Sequence, residues 1–266
     1  MLSVYGNPNS PPVVLLHGFL GNRNDWLSIV TALKDHWYCI VPDLPGHGKR
    51  IPDIDHTPID HALNQMMEEI TALIRTPFHL IAYSLGGRLA IKLASERPEL
   101  IASLCLESAH PGLRTAKDKK QRIINDAVWS SRFRSEPIEA VLKDWYNQAV
   151  FSNLSLAKYK KQIEQHNQQA IEPLIKMFEQ TGLGKQSSYW YFLAHIKIPL
   201  LYISGQNDCK FSKIGNELKV QNKNVVSQGY IRHIIIEDAS HNCHLDNTTQ
   251  FIIIIKSFLN HLNAQF

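Results

Sequence analysis

The stretch Phe78-His79-Leu80-Ile81-Ala82-Tyr83-Ser84-Leu85-Gly86-Gly87-Arg88 constrains the fold of this chain more than any other. An apolar run stops at a serine, two glycines follow, and helical spacing resumes with Leu89, Ala90, Leu93 and Ala94. This reads as strand, sharp turn and helix, with Ser84 at the apex in a strained backbone conformation. The turn lifts the hydroxyl out of the sheet and leaves the Leu85 N–H free to face an anion at the helix N-terminus. A capping serine in an ordinary strand-to-helix turn is the competing reading. Ala82 also stands where G-x-S-x-G has its first glycine, so the rest of the chain must separate the two.

Short, continuously apolar runs recur at residues 13–16, 38–41, 78–82, 104–106, 200–203 and 233–236. Helical patterns near 26–33, 59–74, 87–96 and 248–262 alternate with them. Such strands indicate a mostly parallel sheet covered on both faces, with ligands at the strands' carboxyl ends. With 266 residues, 44% of them hydrophobic and 20% charged, the chain can bury one sizeable core. The rhythm breaks between residues 110 and 190, where helical spacing dominates (Ile123, Ala127, Phe133; Val141, Trp145; Ile171, Leu174, Ile175, Phe178). We therefore expect a core of residues 1–109 and 191–266, and a helical lid of residues 110–190 inserted over the strand ends.

The charge of this insertion narrows the ligand class. Between His110 and Ile196 there are 13 Lys/Arg against 8 Asp/Glu, which accounts for the whole excess of the chain's +4. That bias suits a small anionic substrate, or else a solvated helical surface. No basic block is interleaved with aromatics, so nucleic-acid binding is not expected. The apolar run 251–255 is too short to span a bilayer, and the N-terminus lacks the pattern of a secretory signal. Cys39, Cys105, Cys209 and Cys243 are scattered without metal-ligand spacing. A cytoplasmic monomer with neither metal nor other cofactor is the expectation.

Partners for Ser84 follow it in order. Asp208 lies just past one apolar run and His241 just past the last, so both emerge at the sheet edge that carries Ser84. In such a triad the histidine takes the hydroxyl proton, and the aspartate fixes its tautomer. Glu107 is the alternative acid and His244 the alternative base. His17-Gly18-Phe19 ends the first run, and its glycine lets the Phe19 N–H turn toward an oxyanion beside that of Leu85. His17 and His47 are read as loop-shaping residues, Asp238 and Asp246 as turn and cap residues, and Cys209 and Cys243 as packing residues.

The elbow, the His-Gly-Phe turn, Asp43-Leu44-Pro45-Gly46-His47-Gly48 and the ordered triad resemble the α/β-hydrolase superfamily. A narrower likeness lies in Ser84-Leu85-Gly86-Gly87-Arg88, Glu107-Ser108-Ala109-His110-Pro111-Gly112-Leu113, Asp144-Trp145-Tyr146-Asn147-Gln148, Asp208-Cys209-Lys210-Phe211 and His241-Asn242. These are similar to the family of 2-succinyl-6-hydroxy-2,4-cyclohexadiene-1-carboxylate synthases of menaquinone biosynthesis. The resemblance implies a lyase that eliminates pyruvate from a polycarboxylate, with Ser84 as a base activated by His241 and Asp208. It also implies substrate binding by Tyr83, Arg88, Arg122 and Trp145. Where the family usually has a further arginine this chain has His166, followed by Asn167-Gln168-Gln169, and Ser240 replaces a usual glycine. A serine carboxylesterase or C–C hydrolase, and a non-catalytic receptor for a small carboxylate, are the alternatives.

Overall fold

The computed structural model describes residues 1–51, 58–151, 158, 160, 162–164, 170–223 and 230–263. Seven strands form one sheet: β1 (Leu2–Tyr5), β2 (Pro12–Leu16), β3 (Tyr38–Pro42), β4 (Phe78–Tyr83), β5 (Ile101–Glu107), β6 (Leu200–Gly205) and β7 (Ile231–Ile236). Their order is β1-β3-β2-β4-β5-β6-β7, with β1 antiparallel to β3 and every other pair parallel. All residues of β2, β3, β4 and β6 are buried. Their apolar runs are continuous because both faces of the sheet are covered.

Alternation along each strand feeds two cores. From β2, Val13 and Leu15 pack on one face with Ile29 and Leu33 of α1 (Leu27–Leu33) and with Phe251, Ile255 and Phe258 of α9 (Thr248–Asn263). Val14 and Leu16 pack on the other face with Met66 and Ile70 of α2 (Ile59–Thr71) and with Ala90 and Ile91 of α3 (Ser84–Glu96). Ile214 and Leu218 of α8 (Cys209–Lys223) complete that second core. Each such side chain stabilises the fold by about 1.5–3 kcal/mol through removal of apolar surface from water. Two elements lie outside the sequence expectation. β1 is a four-residue edge strand, too short to carry a period, and α8 begins at Cys209 without a long apolar run.

Between β5 and β6 lie α4 (Ala116–Ser135), α5 (Ile138–Tyr146), α6 (Ile171–Gln180) and α7 (Trp190–Ala194). Thr115 caps α4 by accepting the Asp118 N–H at 3.0 Å. Phe133, Val141, Leu142, Tyr146, Leu174 and Ile175 make a third core, which also holds Leu20 from the loop after β2. The expected apolar face of α4 is corrected here. Ile123 and Ala127 are exposed, whereas Asp126, Ser130 and Phe133 are buried. The helix turns a partly polar face inward because Arg122 borders a cavity and Asp126, buried, pairs with it at 2.6 Å. No described helix is long and apolar enough to cross a membrane.

Candidate active site

The strand order reverses between β2 and β4, the place where open α/β sheets hold ligands beyond their strand ends. Leu16 is paired with Ala82 there, so the loops that follow, His17-Gly18-Phe19 and Ser84-Leu85, emerge side by side. Ser84 has φ 50°, a left-handed conformation that costs a non-glycine residue about 1–3 kcal/mol and marks a functional turn. Glycine is required around it. A Cβ on Gly86 would strike the carbonyl oxygens of Leu16 and His17, and one on Gly18 would sit 2.6 Å from the Tyr83 ring. The close crossing is locked by the Gly86 N–H donating to the His17 carbonyl at 3.1 Å.

Three chain-distant groups meet at this turn. The Ser84 Oγ lies 3.0 Å from His241 Nε2, and His241 Nδ1 lies 2.8 Å from Asp208 Oδ2. Because a carboxylate only accepts, Nδ1 carries the proton and Nε2 is left to accept from the serine hydroxyl. Asp208 is buried, and its Oδ1 accepts the Phe211 N–H at 3.3 Å, which fixes the carboxylate plane. The His241 ring is confined by Phe211, Tyr83 and Phe151 at centroid distances of 4.6, 5.5 and 5.6 Å. This is the arrangement of a general base poised on a hydroxyl.

The alternative acid and base pair with each other and lie away from Ser84. Glu107 is wholly buried; it accepts the His244 backbone N–H at 2.9 Å and the His244 Nδ1–H at 2.7 Å. The His244 ring stacks on Trp26 at 4.2 Å, and its Nε2 has no partner among the described residues. His244 lies three residues after His241, so Glu107 anchors the segment that carries the His241 imidazole. Asp246 anchors it again by accepting the Ser240 N–H at 2.9 Å.

The loop-shaping histidines have structural partners. His17 Nε2 accepts the Leu44 N–H at 3.0 Å, and His47 Nδ1 donates to the Pro45 carbonyl at 3.1 Å. Burial, aided by His17, lowers the His47 pKa to about 3, so it stays neutral. Asp238 has φ 52°, which suits its turn role. Cys243 is buried as expected, but Cys209 is exposed at the start of α8 and is not a packing residue. Its position on the outer first turn explains the difference.

A cavity of about 190 Å³ opens over Ser84. Phe19, Tyr83, Leu85, Arg88, Arg122, Trp145 and His241 all line it, so every candidate residue borders one space except Asp208, which stands behind His241. Arg88 has no carboxylate partner among the described residues. Its guanidinium donates to the Thr181 carbonyl at 2.7 Å and the Gln186 amide oxygen at 3.1 Å. Burial and the neighbouring Arg122 charge lower its pKa to about 10 against the pull of Asp126, leaving a cation at neutral pH with no carboxylate hydrogen-bonded to it. Sequence reasoning assigned no role to His110, Gln148, Phe178 and Lys210, which share the lining. His110, Gln148 and Lys210 fall inside motifs quoted above, but spacing alone gives no direction to a side chain. His166 lies outside the described residues. Among those residues, no His, Cys, Asp and Glu group is spaced to hold a metal.

The family model described as the alpha/beta hydrolase fold matches residues 11–248. The 2-succinyl-6-hydroxy-2,4-cyclohexadiene-1-carboxylate synthase of Pectobacterium atrosepticum is 32% identical over 257 residues, covering 96% of each chain. That of Klebsiella pneumoniae is 33% identical over 254 residues, again covering 96% of each. The solved structure of MenH from S. aureus superposes with a TM-score of 0.90 at 25% identity over 98% of both chains. Fold, site and sequence thus agree, and the chain belongs to the α/β-hydrolase fold family and, within it, to the 2-succinyl-6-hydroxy-2,4-cyclohexadiene-1-carboxylate synthases.

Proposed function

We propose that this enzyme eliminates pyruvate from 2-succinyl-5-enolpyruvyl-6-hydroxy-3-cyclohexene-1-carboxylate to give 2-succinyl-6-hydroxy-2,4-cyclohexadiene-1-carboxylate in menaquinone biosynthesis. The observation that carries this reading is Arg88, a partly buried guanidinium with only neutral acceptors, in the same cavity as Ser84. A neutral ester gives such a guanidinium no charged acceptor, whereas a polycarboxylate offers it one.

His241 Nε2 takes the Ser84 hydroxyl proton, and Asp208 stabilises the imidazolium that forms. The serine oxygen then removes the proton at ring carbon 2. That carbon is next to the ketone of the succinyl group, so the electron pair delocalises onto the ketone oxygen. The Phe19 and Leu85 N–H groups stabilise this oxyanion, each by about 3 kcal/mol. The pair returns to make the 2,3 double bond, the 3,4 double bond shifts to 4,5, and the bond from carbon 5 to the enolpyruvyl oxygen breaks. The departing enolate takes a proton and becomes pyruvate. Arg88 and Arg122 bind carboxylates, Tyr83 and Trp145 wall the ring, and residues 110–190 act as a lid that excludes water.

Quenching the reaction during turnover and weighing the intact protein tests Ser84 as base against Ser84 as nucleophile. Pyruvate should accumulate while the protein mass stays unchanged. An adduct on Ser84, or no pyruvate from the folded enzyme, would favour a carboxylesterase or C–C hydrolase.

A further inference from the structure

Two residues in the wall of the cavity have no task in the mechanism above. His110 lies just beyond β5, and Lys210 lies on the first turn of α8, two residues after Asp208. Both flank the Phe211 ring, with the His110 centroid 6.3 Å from it and the Lys210 Nζ 5.3 Å from it.

The protonation of His110 follows from its hydrogen bond. The Gly112 backbone N–H reaches His110 Nδ1 at 3.0 Å, and a backbone N–H can only donate. Nδ1 is therefore the bare nitrogen, and the neutral ring carries its proton on Nε2. No described residue accepts that proton. Burial, together with the charges of Lys210, Arg88, Arg122 and Arg114, lowers the His110 pKa to about 3, so four cations keep the ring neutral. Lys210 is exposed at the rim, yet desolvation and the Arg122 charge lower its pKa against the pull of Asp208. No described carboxylate lies within salt-bridge distance of it. An N–H donor without an acceptor and an ammonium without a counter-ion thus face one cavity. Water would solvate both, but a carboxylate satisfies both at once.

We propose that His110 and Lys210 form a carboxylate subsite of the catalytic cavity, distinct from the groups held by Arg88. The inference rests on the polycarboxylate reading of the site: a substrate with three carboxylates meets three cations, Arg88, Arg122 and Lys210, and one neutral donor. Binding of this kind is equal in the ground and transition states, so its loss falls on KM and not on kcat.

The test measures KM and kcat for the enolpyruvyl substrate, and calorimetric affinity for the cyclohexadiene product, in wild type, Lys210→Gln, Lys210→Arg and His110→Phe. Lys210→Gln should raise KM and the product Kd about tenfold. His110→Phe, which keeps the ring and removes the donor, should raise both severalfold. Lys210→Arg should retain most of the affinity, and near-ultraviolet circular dichroism checks that each variant is folded. KM and product affinity both unchanged in Lys210→Gln and His110→Phe would overturn the subsite, as would loss confined to kcat. Failure of the polycarboxylate reading has a different signature, since wild type itself would then release no pyruvate.

Discussion

Among the described residues two buried histidine–carboxylate pairs are built alike and placed differently. Asp208–His241 and Glu107–His244 each join an imidazole Nδ1 to a carboxylate oxygen, at 2.8 and 2.7 Å. In the first pair Nε2 reaches the Ser84 hydroxyl at the cavity; in the second the ring stacks on Trp26 and Nε2 has no partner among the described residues. A buried pair is therefore not a catalytic signature by itself. What distinguishes them is the far nitrogen, which meets a strained serine in one case and no described partner in the other. The second pair acts through position, because Glu107 grips the residue three beyond His241.

Several substitutions can break or sharpen this contrast. The largest effect is expected from Asp208→Asn, which leaves the geometry but releases the His241 tautomer. It should lower kcat by about 10⁴-fold with little change in the urea midpoint. Glu107→Ala should do the reverse: removing one partner of a fully buried pair costs about 3–5 kcal/mol of stability, read as a lower urea midpoint. Its folded fraction should lose far less kcat than Asp208→Asn does, and an equal loss would erase the distinction. Arg88→Ala should lower kcat/KM for the enolpyruvyl substrate about 100-fold while sparing a neutral ester. Equal losses on the two substrates would count against carboxylate recognition.

Buried histidines with no carboxylate in hydrogen-bond reach give a graded effect. His47 and His79 are held neutral by desolvation, with pKa values of about 3 and about 4. Unfolded histidines titrate near 6.5, so below that pH the unfolded chain binds protons that the folded chain refuses. Stability present above pH 6.5 should fall on the order of 1 kcal/mol per pH unit for each as the pH drops toward 4. Urea midpoints at pH 7, 6 and 5 check this, and a flat profile would contradict it.

Much of the core was legible because a doubly covered parallel strand is apolar at every position. Val13 to Leu16 and Phe78 to Ala82 read as strands for that reason. The elbow was legible through its glycines, and the order Ser84, Asp208, His241 follows from strands that end at one edge. Less could be read where meaning depends on a distant partner. Glu107 and His244 are 137 residues apart, and nothing local says that they meet. α4 misled for a related reason: its apolar residues Ile123 and Ala127 face outward because Arg122 lines the cavity and Asp126 is buried as its partner. His110 and Lys210 lie within recognisable motifs, but their orientation comes only from the packing around Phe211.

The most direct test follows pyruvate and the conjugated ring product together as wild type and Ser84→Ala consume the enolpyruvyl substrate. Elimination driven by Ser84 requires the two products to appear one for one, and the alanine variant to lose about 10³-fold or more of kcat while still binding product. Full turnover by Ser84→Ala, or a hydrolysed product without the ring diene, would contradict it.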